Sequence, residues 1–163
     1  MAIFDLAVEQ TLRNEGGSRL VQDPRDPGGT TRYGISKRAH PDINIEALTE
    51  RQARQIYYRH YWEKYQIWRL FDQEVASKVF DMAVVMGGRP AVRCLQRALR
   101  ACGVFVVEDG LLGPQTAGAA NAHDKQELMS ALRSECAGRF REIIAAKPLM
   151  GVYERGWLRR AYA

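Results

Sequence analysis

Residues 16 to 36 crowd glycine, proline and aspartate into one block, in a chain that otherwise repeats apolar residues at helical spacing. Such a composition favours turns and left-handed backbone over helix. Ahead of the block, Phe4, Ala7, Val8, Thr11 and Leu12 fall on one helical face, and Gly16-Gly17 supplies a stop, so a first helix is expected to end near Glu15. The fold is thereby constrained to be mainly α, with one irregular loop or short hairpin near its start.

The rest of the chain supports that reading. Thr49-Glu50-Arg51-Gln52 has the form of a capping box and opens a helix that runs into Tyr57, Tyr58, Tyr61 and Trp62. Those aromatics, with Tyr65, read first as packing. Val75, Val79, Phe80, Ala83 and Val84 mark a strongly apolar, central helix ending at Gly87-Gly88. Pro90 suits the first turn of a helix reaching Cys102, with Val92, Leu95, Ala98 and Leu99 on one face. Asp109-Gly110 reads as a turn, and Gly113-Pro114 as the start of a short helix. Asp124 and Glu127 cap a long helix with Leu128, Leu132, Cys136, Phe140 and Ile143 inward, and a final helix carries Tyr153 and Trp157.

With 163 residues the chain can bury roughly two-thirds of its unfolded surface and fold without staples. Residues 1–6 hold no basic region followed by a long apolar core, and no stretch approaches a membrane span, so synthesis in the cytoplasm without a signal peptide or stable membrane insertion is expected. Cys94, Cys102 and Cys136 form no C-x-x-C pair and no His-Cys cluster at metal-ligand spacing. Buried free thiols are expected, with no metal and no cofactor. Residues 1 to 88 carry 12 Lys and Arg against 12 Asp and Glu, while 89 to 163 carry 12 against 7, so the whole net charge of +5 lies in the second half. A basic face suits a polyanion or the bacterial wall, although a solvated helix face explains much of it.

His40, His60 and His123 have no local Ser or Cys motif beside them, and no phosphate-cradling glycine loop is present. Glycosidic cleavage needs one carboxyl that donates a proton to the leaving oxygen, and commonly a second that handles water or the developing cation. Glu15, at the negative end of a helix dipole, and Asp26, set between Pro and Pro-Gly-Gly in a turn, supply both. From the residues alone two readings stand: an acid pair, or an exposed helix end followed by turn-forming aspartates.

Glu15-Gly16-Gly17, followed by an Asp-x-Gly-Gly-x-Thr-x-aromatic-Gly-Ile-Ser block at residues 26–36, resembles glycoside hydrolase family 108, the N-acetylmuramidases of phage lysis cassettes and bacterial secretion loci. Tyr61-Trp62, Phe80-Asp81-Met82-Ala83-Val84 with Gly87 behind it, and Leu95-Gln96-Arg97-Ala98-Leu99 match as well. Residues 109–116 look like that family's C-terminal peptidoglycan-binding segment, and Gly156-Trp157-Leu158-Arg159 like its closing helix. One departure is Val85, which stands where the family usually has Asn.

The resemblance implies a lysozyme-like helical fold, with residues 1–88 as catalytic lobe and 89–163 as a peptidoglycan-binding lobe packed on it. It makes Glu15 the catalytic acid. Analogy to phage lysozymes, which use a Glu, an Asp and a Thr in that order, puts Asp26 and Thr31 in charge of water, with Asp23 nearby as an alternative. Tyr33 is expected to contact sugar, and Asp109, Gly110, Gly113 and Thr116 to bind substrate. The expected reaction is hydrolysis, with inversion, of the β-1,4 bond between N-acetylmuramic acid and N-acetylglucosamine. A lytic transglycosylase and a non-catalytic wall-binding protein are the rivals. The expected partners are peptidoglycan glycan strands and a holin or secretion apparatus for export to the periplasm or wall. A monomer that binds no nucleic acid is expected.

Overall fold

The computed structural model describes residues 1–22 and 29–163. Helix α1 spans Phe4–Asn14 and leads into a small antiparallel sheet of strands β1 (Val21–Gln22), β2 (Thr30–Arg32) and β3 (Ile35–Ser36) in that order. Helices α2 (Glu50–Tyr57), α3 (Gln73–Met86), α4 (Gly88–Ala101), α5 (Pro114–Ala122), α6 (Lys125–Ala146) and α7 (Glu154–Tyr162) follow. The expected mainly α fold with one short hairpin region is what forms.

Local signals set most of the boundaries. The Thr49 hydroxyl accepts from the Gln52 amide, while the Gln52 side chain accepts from the Thr49 amide, the reciprocal arrangement that satisfies two free donors at once. Asp124 caps α6 through the amide of Glu127, and Asp72 caps α3 through the amides of Glu74 and Val75. Gly113 precedes Pro114 at the start of α5.

Helix α3 is central, as its apolar run predicts: Val75, Ala76, Val79, Phe80, Met82 and Ala83 are buried, and the helix packs against α1, α4 and α6. Phe80 receives Phe4, Tyr57, Tyr61 and Trp62 largely edge to face, which favours aromatic pairs beyond the area they bury. The hydrophobic core is continuous from Ala7 to Ala161, so both halves of the chain share it. At their junction a Cβ on Gly88 would lie 2.1 Å from the Tyr65 ring, and only glycine fits there.

Three details depart from expectation. Tyr58–Glu63 continues α2 as a π-helical turn, a form with no sequence signature and one often found near functional sites. Tyr153 closes a 3₁₀ turn (Pro148–Tyr153) ahead of α7, because Pro148 starts that tighter segment and α7 begins only at Glu154. Ile143 is half-buried where a fully inward position was expected. No helix among the described residues is long and apolar enough to cross a membrane.

Candidate functional site

Glu15 is the C-cap residue of α1, and the two glycines behind it end the helix. The Gly17 amide donates to the Leu12 carbonyl at 2.9 Å, and the Gly16 amide to Arg13 at 3.3 Å. This is the Schellman closure, which needs left-handed backbone at the residue after the cap, and Gly16 has φ +85°. Glu-Gly-Gly is therefore a helix terminator that leaves Glu15 at the rim, its side chain 23% exposed.

The carboxylate meets a partner 145 residues away. Arg160, on α7, donates from Nη1 to Glu15 Oε1 at 2.6 Å. Its remaining fork grips Asp81 on α3, Nε to Oδ2 at 2.7 Å and Nη2 to Oδ1 at 2.8 Å. Asp81 Oδ1 also accepts from the Thr11 hydroxyl at 3.0 Å and from Asn14 Nδ2 at 3.3 Å. Burial works against the Arg160 charge, but the bonds to and charge of Asp81, with Glu15 added, outweigh it and hold its proton more firmly than usual. The expected setting for Glu15, a helix C-terminus alone, is thus incomplete: a fixed cation opposes the field of the helix end. Sequence reasoning assigned no role to Asp81 or Arg160. A charged residue inside the apolar run of α3 was the available signal for the first, and nothing local marked the second.

The stem of Glu15 is fixed from the other side by the hairpin. Tyr33 and Gly34 join the paired residues Arg32 and Ile35, with φ of +53° and +74°, the signature of a two-residue mirror-image turn. A Cβ at Gly34 would lie 2.8 Å from Cβ and Cγ of Glu15 and 2.6 Å from the Tyr57 hydroxyl. Tyr57, buried beneath, donates to the Tyr33 carbonyl at 2.8 Å, and the Tyr33 amide donates to Gly17 at 3.1 Å. Burial and then the Glu15 charge push the Tyr57 hydroxyl far above its ordinary range; burial, Tyr65 and Glu15 push Tyr61 up likewise. Both hydroxyls therefore stay neutral near Glu15.

Tyr33, expected to contact sugar, is 7% exposed and forms the first residue of the turn. Thr31 lies on β2, half-buried, opposite Val21 and Ser36. Asp26 and Asp23 lie outside the described residues. Val85, partly buried, packs against the core at the end of α3. A cleft of about 910 Å³ bordered by Arg13, Asn14, Asp81, Trp157 and Arg160 lies alongside the network, and Glu15 does not line it.

In the second half, the glycine-rich block expected to bind substrate is organised around one buried side chain. Gln96, fully buried on α4, donates to Asp109 Oδ1, the Leu111 carbonyl and the Thr116 hydroxyl, and accepts from the Gly110 amide at 2.9 Å. The bonds from Gln96 and from the Leu111 amide hold the Asp109 carboxyl below its usual range. Gly110 and Thr116 are buried, and Gly113 caps α5, so these residues wind the 109–116 loop around a glutamine. Asp109 itself stays exposed, with one carboxylate oxygen taken up by Gln96. Arg97 pairs with Glu108 and Glu142, and Arg100 with Glu108, which offsets part of the expected basic face.

Cys102, His123 and Glu127 converge, although neither sequence spacing nor a local motif links the cysteine to the other two. Cys94 and Cys136 are buried as expected, while Cys102 is half-buried at a helix end.

Comparison with known proteins agrees with this architecture. Residues 8–87 match the model of glycosyl hydrolase 108, and residues 90–162 match that of a predicted peptidoglycan domain. The solved structure described as Brucella abortus SagA is similar over 97% of this chain and 88% of its own, with 26% identity and a TM-score of 0.74. No curated protein sequence matches. With one half matched by a hydrolase model, the other by a peptidoglycan model, and both closed around one core, the chain is a peptidoglycan hydrolase belonging to glycoside hydrolase family 108.

Proposed function

We propose that the chain is an N-acetylmuramidase that cuts the β-1,4 bond between N-acetylmuramic acid and N-acetylglucosamine, with Glu15 as proton donor. The observation that carries this reading is the double restraint on Glu15: hairpin and Tyr57 against its stem, Arg160 on one carboxylate oxygen. A general acid must meet the leaving oxygen in a fixed geometry, and a rim position with an immobilised stem provides that.

Glu15 donates its proton to the glycosidic oxygen as the bond to the anomeric carbon breaks. The carboxylate left behind is stabilised by Arg160, which Asp81 holds in place from behind, so Arg160 is a positioning residue that eases proton departure. Asp26, by the analogy of the sequence block, takes a proton from water as its oxygen attacks the opposite face of the sugar, and Thr31 orients that water, giving inversion. The wall polymer is reached by export through a holin or a secretion apparatus, for lysis or for secretion.

Glu15→Gln keeps the size and polarity of the side chain and removes the transferable proton. The variant is expected to lose at least about 100-fold in lysis of permeabilised cells, with sacculus binding and thermal unfolding unchanged. Retained lysis would sink the assignment. Mass spectrometry of the products then separates reducing muramyl ends from the 1,6-anhydro ends of a transglycosylase. At the second site Asp26→Asn is expected to cost more rate than Thr31→Ala.

A further inference from the structure

The end of α4 repeats the backbone of the end of α1. Cys102 is the C-cap with φ −83° and ψ 12°, and the amides of Gly103 and Val104 close back onto Arg100 and Leu99. Gly103 takes the left-handed position at φ +81°. The thiol is thereby turned off the helix end toward the corner between α5 and α6, where His123 closes α5 and Glu127 lies in the first turn of α6. His123 Nε2 and Glu127 Oε2 are 3.1 Å apart, and the Cys102 sulfur lies with both inside a sphere of contact in which no two ligand atoms exceed 4.8 Å.

We propose that Cys102, His123 and Glu127 form a binding site for a divalent transition metal, zinc above all, that clamps the C-terminus of α4 to the α5–α6 corner.

The donor set is the chemical argument. Thiolate, imidazole and carboxylate together match zinc, whereas calcium and magnesium prefer oxygen alone. In a tetrahedral zinc site the sulfur, nitrogen and oxygen ligands stand about 3.3 to 3.6 Å apart, given metal–ligand bonds of about 2.0 to 2.3 Å. Separations of no more than 4.8 Å reach that geometry with a shift of at most about 1.5 Å. Glu127 is 59% exposed and His123 16%, so the site opens to solvent on the carboxylate side, leaving the fourth position for water. Cys102 binds as thiolate, its proton passing to solvent. None of the three residues belongs to the Glu15 network, and the clamp acts on stability rather than on cleavage.

Cobalt(II) titration of the reduced full-length protein tests this, because a cobalt–thiolate bond produces an intense near-ultraviolet charge-transfer absorption that imidazole and carboxylate do not. The expected result is such a band, saturating at one cobalt per chain and displaced by zinc. Cys102→Ser abolishes it, and His123→Gln weakens binding at least about tenfold. Zinc raises the unfolding temperature of the parent and not of Cys102→Ser, and both proteins hydrolyse the wall alike without metal. The absence of a band at millimolar cobalt, or a band that survives Cys102→Ser through Cys94 or Cys136, overturns the proposal. Circular dichroism of His123→Gln, which keeps a polar side chain at that corner, separates loss of a ligand from loss of fold.

Discussion

The ends of α1 and α4 share a backbone and differ in everything attached to it. Both close with the same pair of returning hydrogen bonds and a left-handed glycine, and their C-cap residues differ by only a few degrees in φ and ψ. At the first a carboxylate faces a guanidinium anchored by Asp81; at the second a thiol faces an imidazole and a carboxylate. A helix terminus is thus a mount that fixes where a side chain starts. The chemistry is decided by what the tertiary fold brings opposite it, Arg160 in one case and the α5–α6 corner in the other.

The largest effect expected from breaking this comparison is on catalysis: Glu15→Gln loses lysis by orders of magnitude while Cys102→Ser leaves it intact, although both alter a C-cap. Next comes the partner of the first mount. Arg160→Gln leaves Asp81, with a side chain 10% exposed, without its cation, and is expected to cost about 3 kcal/mol in a denaturant unfolding curve. Arg160→Lys keeps the charge but not the three-way fork, and recovers part of the loss. If the arginine also positions the acid, Arg160→Gln lowers kcat while sacculus binding is kept, and Arg160→Lys restores part of the rate. An unchanged kcat would leave Arg160 a purely structural residue.

Gly34→Ala comes third. The added carbon would lie within 2.8 Å of Glu15 and 2.6 Å of the Tyr57 hydroxyl on a backbone already at φ +74°, and about 2 kcal/mol of stability is expected to be lost along with activity. The smallest effect is the sharpest test of equivalence. Gly16 and Gly103 both face open space, so alanine at either meets only backbone strain of about 1 kcal/mol. Equal losses of stability are expected, with lysis reduced by Gly16→Ala alone; unequal losses would mean that the two ends are not the same device.

Helix caps, stops and apolar stripes, which are decided within a few residues, were legible in the sequence, whereas the π-helical turn at Tyr58–Glu63 was not. The glycines after Glu15, the Thr49–Gln52 box, the Asp124 cap and the apolar stripe of α3 are each written in adjacent positions, and each forms as read. Long-range partners were hidden. Arg160 sits in a helix recognisable by its aromatics, yet nothing near it names Glu15 or Asp81. The convergence of Cys102 with His123 depends on how three helix ends meet, which no spacing rule encodes. Two motifs also carry a structural requirement that the residue types alone did not name: Tyr33 is the first residue of a left-handed turn, and the 109–116 block wraps Gln96.

The grip of Arg160 on Glu15 also bears on modularity. The glycosyl hydrolase 108 segment and the peptidoglycan segment meet almost end to end in sequence, which invites their treatment as interchangeable parts, a cutter and an adaptor. The adaptor, however, supplies the cation beside Glu15 and, through the carbonyls of Arg160 and Ala161, the acceptors for Lys78 of α3. A chimera that exchanges residues beyond 88 for another wall-targeting domain would inherit Asp81 and Glu15 without their shared counter-ion. Retargeting this hydrolase is therefore a matter of redesigning surfaces upstream of α7, with that last helix retained as the counter-ion of the first half.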